Sequence, residues 1–162
     1  MSATPIQASN RYYRRGITKV LWAPTIANIL AVTRSEITAS IALEGETGAM
    51  AGWQTTSATV ATPALGRRFT PVVGGEITAA DSSLTFWASR DSDDVRSVLI
   101  RETEGFIIWM DEGDVPTQTM DVFPVTVTSQ AKVRDLENAS QIMAQFAITG
   151  EPAENVAIPA LT

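Results

Sequence analysis

Asp111, Glu112, Asp114 and Asp121 form the first candidate site in this sequence, because closely spaced carboxylates are what a hard cation such as Ca²⁺ requires. Their spacing departs from the EF-hand loop and lacks its terminal glutamate, so a solvated acidic turn explains them better. Asp91, Asp93 and Asp94 are explained in the same way by helix capping. Eighteen acidic residues allow some pair to converge in a pocket and hydrolyse a glycoside, yet no spacing singles out such a pair.

Histidine and cysteine are both absent. Their loss removes the commonest general base, the commonest metal ligand and the thiol nucleophile, and it argues against an enzyme. The phosphate-binding GxxxxGK[ST] loop and the GxGxxG fingerprint are missing too, and Gly74-Gly75 reads as a turn. Asn138-Ala139-Ser140 is a formal glycosylation sequon and, without a secretory signal, means only a polar turn. No catalytic residue, cofactor or metal is expected.

Aromatic residues offer a second chemistry, base stacking on single-stranded nucleic acid. That requires basic residues interleaved with the rings, whereas Phe86, Trp87, Phe106 and Trp109 lie in apolar runs near acids and suit a core. A net charge of −6 and a pI near 4.6 disfavour any protein that binds by neutralising phosphates. The beginning of the chain has no apolar run of signal-peptide type and no segment approaches a membrane span, so cytoplasmic synthesis without a membrane partner is expected.

The elements that would position these groups read as one domain over residues 1–162. Residues 1–15 form a polar arm that reads either as a solvated, partly disordered terminus or as an arm in which Tyr12, Tyr13, Arg14 and Arg15 make contacts with a neighbouring copy. Strands are expected at Gly16–Trp22 and Glu36–Leu43, the latter with Thr38 and Ser40 on its outward face. Residues 44–75 are punctuated by Gly and Pro and read as a long loop, with short strands around Gln54–Ala61 and Glu76–Ala80 as the alternative. Within it Trp53 is either a satellite core residue or an anchor for another subunit, the anchor being preferred, and Arg67-Arg68 suits an interface ion pair or a solvated turn. A strand at Ser83–Ser89 leads to one helix, capped by Asp91 or Ser92, with Val95, Val98 and Leu99 as its apolar stripe and its end near Thr103. A strand follows at Glu104–Asp111, apolar enough to be covered on both faces.

Two long strands close the sequence. In the first, Phe123, Val125, Val127, Ala131 and Val133 alternate with Thr126, Thr128, Gln130, Lys132 and Arg134; in the second, Ile142, Ala144, Phe146 and Ile148 alternate with Gln141, Met143, Gln145 and Thr149. The outward faces are mainly polar and uncharged, unlike a sheet exposed to bulk water. The architecture expected is mainly β with α+β character, an antiparallel sandwich or barrel with a single packed helix.

DVFPVTVTSQAKVR followed by FAITGEPAENVAIPA resembles the C-terminal part of the major tail (tail tube) proteins of long-tailed, noncontractile bacteriophages. The order of the upstream strands fits the same family. The resemblance implies a structural virion protein of the tail, assembled in the host cytoplasm as stacked hexameric rings whose sheets close into a tube. It further implies a tape-measure protein, tail tip and terminator proteins as partners, and double-stranded DNA passing through the lumen. On this reading Thr38, Ser40, Thr126, Thr128, Gln130, Gln141, Gln145 and Thr149 are candidates for lining the lumen. The arm 1–15, the loop 44–75 and a C-terminal arm 151–162, with Pro152 and Pro159, are candidates for inter-subunit contact. Two other readings are the inner tube or terminator ring of a contractile machine, and a monomeric β-sandwich that binds carbohydrate or protein.

Overall fold

Val20, Leu21, Trp22 and Ala23 are all buried, which requires that strand β1 (Lys19–Ala23) be covered on both faces. A computed structural model, describing residues 2–7 and 10–161, shows how. Met1, Ala8, Ser9 and Thr162, which belong to the two expected arms, lie outside the described residues.

After β1 the chain forms helix α1 (Arg34–Thr38), β2 (Ile41–Ala42), β3 (Thr47–Ala51), β4 (Thr55–Ala61), β5 (Val72–Ala79), β6 (Ser82–Trp87), β7 (Glu104–Met110), β8 (Thr119–Val133), β9 (Gln141–Ile148) and β10 (Ala153–Ala157). Eight strands make one antiparallel sheet. Its order is β2-β1-β7-β8-β9-β6-β3, with β10 on the remaining edge of β8, while β4 and β5 pair only with each other. The mainly β, antiparallel character expected from the alternation is what the chain adopts.

One face of the sheet curls around the larger core. Val20, Trp22, Ile107, Trp109, Phe123, Val125 and Val127 from one half meet Leu84, Phe86, Ile142, Ala144 and Phe146 from the other. Inside β7, Gly105 allows this closure, since a Cβ there would stand 2.5 Å from the Trp22 indole. On the opposite face Leu21, Ala23, Ile108, Met110, Met120 and Val122 pack under Ile26, Val32, Ile37 and the C-terminal residues Ala153, Val156 and Ile158. The sheet does not close on itself, and β3 stands at a free edge.

Two elements differ from the sequence pattern. Of the strand expected over Glu36–Leu43 only Ile41–Ala42 forms, and its first part is replaced by α1, because Thr33 and Glu36 form a capping box: the Thr33 side chain accepts from the Glu36 N–H and Glu36 Oε2 accepts from the Thr33 N–H at 2.8 Å. The alternation of Ile37, Ala39 and Ile41 is real in the sequence, but local capping overrides it. Conversely, the helix expected from Asp91 or Ser92 to Thr103 reduces to one 3-10 turn at Val95–Ser97, capped by Asp94. Ser92 and Glu102 take positive φ, and the Glu102 N–H leaves the turn to reach the Val127 carbonyl at 2.7 Å. Val95 and Leu99 are buried as the apolar stripe requires, and Val98 packs against the core, without a helix.

Candidate assembly surfaces

The half of the sheet formed by β8, β9, β6 and β3 has an inner face on the larger core and an outer face that no element among the described residues covers. Directly paired residues share a face. Ser83, Thr85 and Trp87 of β6 pair with Gln145, Met143 and Gln141 of β9, which in turn pair with Ser129, Ala131 and Val133 of β8. Ala49 and Ala51 of β3 pair with Thr85 and Ser83. No residue in these rows carries a charge, and all are exposed or half-exposed.

The candidates for this face separate into three groups. Gln141 and Gln145 lie on it, Thr126 pairs with Ala147 on the same side, and exposed Thr149 follows the end of β9. Thr128 sits at a bulge between Val127 and Ser129, where its hydroxyl donates to the Gln145 carbonyl at 3.1 Å. The bulge inserts one residue and inverts the alternation beyond it. Gln130 therefore turns to the core face, pairs with Ala144 and donates its side-chain amide to the Leu99 carbonyl, while Ser129 and Ala131 take the outer side. Thr38 and Ser40 are not on a strand at all. Their hydroxyls donate to the Arg34 and Glu36 carbonyls at 2.9 and 2.7 Å, completing the last turn of α1. The Ser83, Leu84, Thr85, Phe86 alternation is a signal in the sequence that identifies β6 as part of the same face.

Trp53 is the satellite core residue rather than an anchor. Its ring stands 5.7, 5.4 and 5.2 Å from those of Trp109, Phe123 and Phe146, and its Nε1 donates to the Ser83 carbonyl at 3.1 Å. It takes φ +64 directly after Gly52, a tight turn that folds the ring back onto its own sheet.

Three of the four acidic residues differ from the solvated turn expected of them, because each of the three has a partner within the chain. Asp111 pairs with Arg14, Asp114 with Arg34 at 2.7 Å, and Asp121 accepts the Asn155 N–H at 2.9 Å. Burial pushes the Asp121 carboxyl up against that N–H, and the nearby charges of Asp111, Glu154 and Glu112 push it the same way. Asp94, in contrast, is held far below the ordinary carboxylate range, first by the Arg96 guanidinium and then by the Ser89 and Arg96 N–H groups. Among the described residues no group of three or more acids is arranged to hold a metal ion.

At the N-terminal end, Arg14 fixes the arm to Asp111, and Tyr12, Tyr13 and Arg15 remain exposed. The region read as a loop over residues 44–75 holds β3, β4 and the start of β5: β4 and β5 correspond to the alternative of hidden strands, while β3 is not among them. Arg67 and Arg68 stand exposed at the tip of the β4–β5 hairpin. The segment 151–162 is not a free arm: β10 pairs with β8, Ala153, Val156 and Ile158 are buried, and the Pro159 carbonyl accepts from Arg34 at 2.6 Å. Pro152 is half-buried where that strand begins. No helix among the described residues is long and apolar enough to cross a membrane.

A search of curated proteins finds no match. Among solved structures, the chain is similar to one from the tail of an empty gene transfer agent (GTA) particle refined with helical C6 symmetry. Identity is 12% and the TM-score 0.51, over 85% of this chain and 93% of that one. A chain from the virion of a native GTA particle, also 12% identical, aligns with a TM-score of 0.49 over 71% of this chain and 88% of that one. The likeness to the GTA tail is one of fold. A family model described as phage tail tube protein matches residues 6–161, nearly the whole sequence, and the chain belongs to that family.

Proposed function

We propose that this tail tube protein assembles as stacked six-membered rings in which β8, β9, β6 and β3 of every copy join edge to edge, their uncharged face lining a lumen that conducts double-stranded DNA. The observation that carries this reading is the parity of the four strands. Each is antiparallel to the next, so β3 runs opposite to β8, and rotational copies meet β3 against β8 in antiparallel register with no break in the pattern. Beyond Val127 no strand among the described residues pairs with β8 on the side away from β9, which leaves an edge about as long as β3. Joining the two removes both exposed edges, which would otherwise invite uncontrolled strand addition.

Six copies of four strands about 4.8 Å apart give a perimeter of roughly 115 Å and a backbone diameter of about 37 Å before strand tilt widens it. Duplex DNA of about 20 Å passes through such a ring. A wall without cations holds no counterion-releasing phosphate contacts, so the duplex can slide rather than bind. The sixfold symmetry of the GTA tail supports the ring number. A noncontractile tail tube in the virion, built in the host cytoplasm on a tape-measure protein and closed by tip and terminator proteins, is the setting that fits a subunit of this family.

Electron microscopy of the purified protein at high concentration, combined with hydrogen exchange, tests the proposal. Sixfold rings or tubes are expected, and those backbone amides of β3 and of residues 129–133 that point away from β6 and β9 should become protected only on assembly. Another symmetry, or tubes in which those amides exchange as in the monomer, would overturn it.

A further inference from the structure

Outside the N-terminal arm and the β4–β5 hairpin, Leu136 is the most exposed large apolar residue among those described, at 104%. It sits on the turn between β8 and β9, and that turn is already braced. Asp135 accepts the Glu137 N–H at 3.0 Å and the Asn138 side-chain amide at 2.6 Å, so Leu136 is held outward between two acids, Asp135 and Glu137. A side chain presented in this way loses little freedom on docking.

A cleft of complementary character opens where the sheet fails to close, between β1 and the free edge of β3. Its volume is about 520 Å³, and Ile17, Met50, Trp87 and Trp109 give it an apolar lining. Arg15 and Lys19, in no ion pair among the described residues, outnumber Glu44, the one acid that lines it. Trp109 Nε1 and Glu44 Oε2 are buried without a hydrogen-bond partner among the described residues, which marks the cleft as incomplete in the isolated subunit.

We infer that this cleft receives the β8–β9 turn of the laterally adjacent copy, with Leu136 entering the apolar lining and Asp135 and Glu137 facing Arg15 and Lys19. The inference rests on the tube reading and adds a contact outside the joined sheet. In that reading β8 of one copy runs antiparallel to β3 of the next, so the residues just beyond Val133 emerge beside Glu44, Gly45 and Thr47, on the rim of the cleft. Leu136 follows Val133 closely enough to reach about 10 Å beyond it. Its own subunit offers no such contact, because β9 and β6 stand between the turn and β3. A partner of another class would have to bring an apolar side chain flanked by acids to every subunit, and the adjacent copy already carries one at that edge.

The chain has no cysteine, so Ile17→Cys and Leu136→Cys each give one thiol, at sites 38% and 104% exposed. Mixed in equal amounts, assembled and treated with a short bismaleimide, the two variants should yield covalent dimers that join one of each. Absence of that heterodimer from tubes whose β3 amides are protected overturns the inference and leaves the tube reading standing. A heterodimer that forms in stacked tubes but not in single rings would place the turn on the next ring, and overturns it as well. Leu136→Ala supplies a second measurement. Its melting temperature should match the wild type, because the side chain is fully exposed in the monomer, while the protein concentration needed for assembly should rise at least about tenfold. An unchanged concentration also overturns the inference. A chain that forms no oligomer at any concentration overturns the tube reading and the docked turn together.

Discussion

Arg34 joins three separate parts of the chain through Asp114: its Nη1 lies 2.9 and 2.7 Å from the two carboxylate oxygens, and its Nη2 donates to the Pro159 carbonyl at 2.6 Å. The pair is largely withdrawn from water, with side-chain exposures of 11% and 25%. Helix α1, the turn after β7 and the end of the chain are thereby held together over the second core.

Removing one partner strands the other charge. Asp114→Ala should therefore destabilise the subunit by about 2–3 kcal/mol, below the ~3–5 kcal/mol of fully buried pairs. Urea denaturation measures this, and a loss under about 0.5 kcal/mol, the range of exposed pairs, would contradict the structural role.

Capping gives a second, smaller effect. Thr33→Ala removes the side-chain acceptor from the Glu36 N–H and should cost about 1 kcal/mol. The Glu36 carboxyl is held below its ordinary value by N–H groups of Ala27 and Thr33 and by the Thr33 hydroxyl. A depressed acid contributes stability that is present above its unfolded pKa and lost as pH falls through the folded one. Part of the Thr33→Ala deficit should thus disappear in acid, and a deficit independent of pH would separate the cap from the carboxylate.

Asp121 has the opposite sign. Its carboxyl is pushed up, chiefly by burial, so the folded state binds that proton more tightly than the unfolded chain. The stabilising term is complete below the unfolded pKa and is lost as pH rises through the folded one. Asp121→Asn keeps an oxygen for the Asn155 N–H and removes the charge; it should raise the melting temperature at pH 7 and change it little in strong acid. A lower melting temperature at pH 7 would show that the carboxylate's hydrogen bond outweighs its burial.

How far the sequence discloses these features depends on whether period or local chemistry decides them. The period-two runs of β8 and β9 survive into the structure because one face is buried along most of their length, and an alternation under that constraint has one register. Gln130 was legible only up to the bulge at Thr128, since nothing in TVTSQAK marks the extra residue that turns it inward. Thr38 and Ser40 illustrate the reverse case: TRSE is a readable capping signature, and it outranks a short alternation that a strand and an amphipathic turn share. Trp53 and Asp114 depend on partners far along the chain, information that no local window contains. The segment 151–162 reads as an arm for the same reason, because β10 pairs with the start of β8 and looks like a free tail when taken alone.

The lumen proposal predicts a separation of assembly from transport. Gln145 is exposed on the uncharged face and paired with Ser83 and Ser129. Gln145→Lys repeated around each ring places cations along the DNA path and creates counterion-releasing contacts. Tubes should form as before while DNA ejection slows, the more so at low salt. Normal ejection from particles that carry the substitution in every subunit would move the lumen to another face.

The two ends of the chain should behave differently on truncation. Deleting residues 2–13 leaves Arg14 and its pairing with Asp111 in place and removes no strand, so the domain should melt close to the wild type. Deleting residues 152–161 removes β10 and with it the buried side chains of Val156 and Ile158, each contributing about 1.5–3 kcal/mol, besides Ala153 and the carbonyl that Arg34 holds. Set against a typical stability of about 5–15 kcal/mol, that loss should leave the subunit largely unfolded or prone to aggregate. Circular dichroism with thermal melting distinguishes the cases. A folded, cooperative domain lacking residues 152–161 would mean that β10 is an appendage on a self-sufficient sheet, and would return the C-terminal segment to the role of an inter-subunit arm.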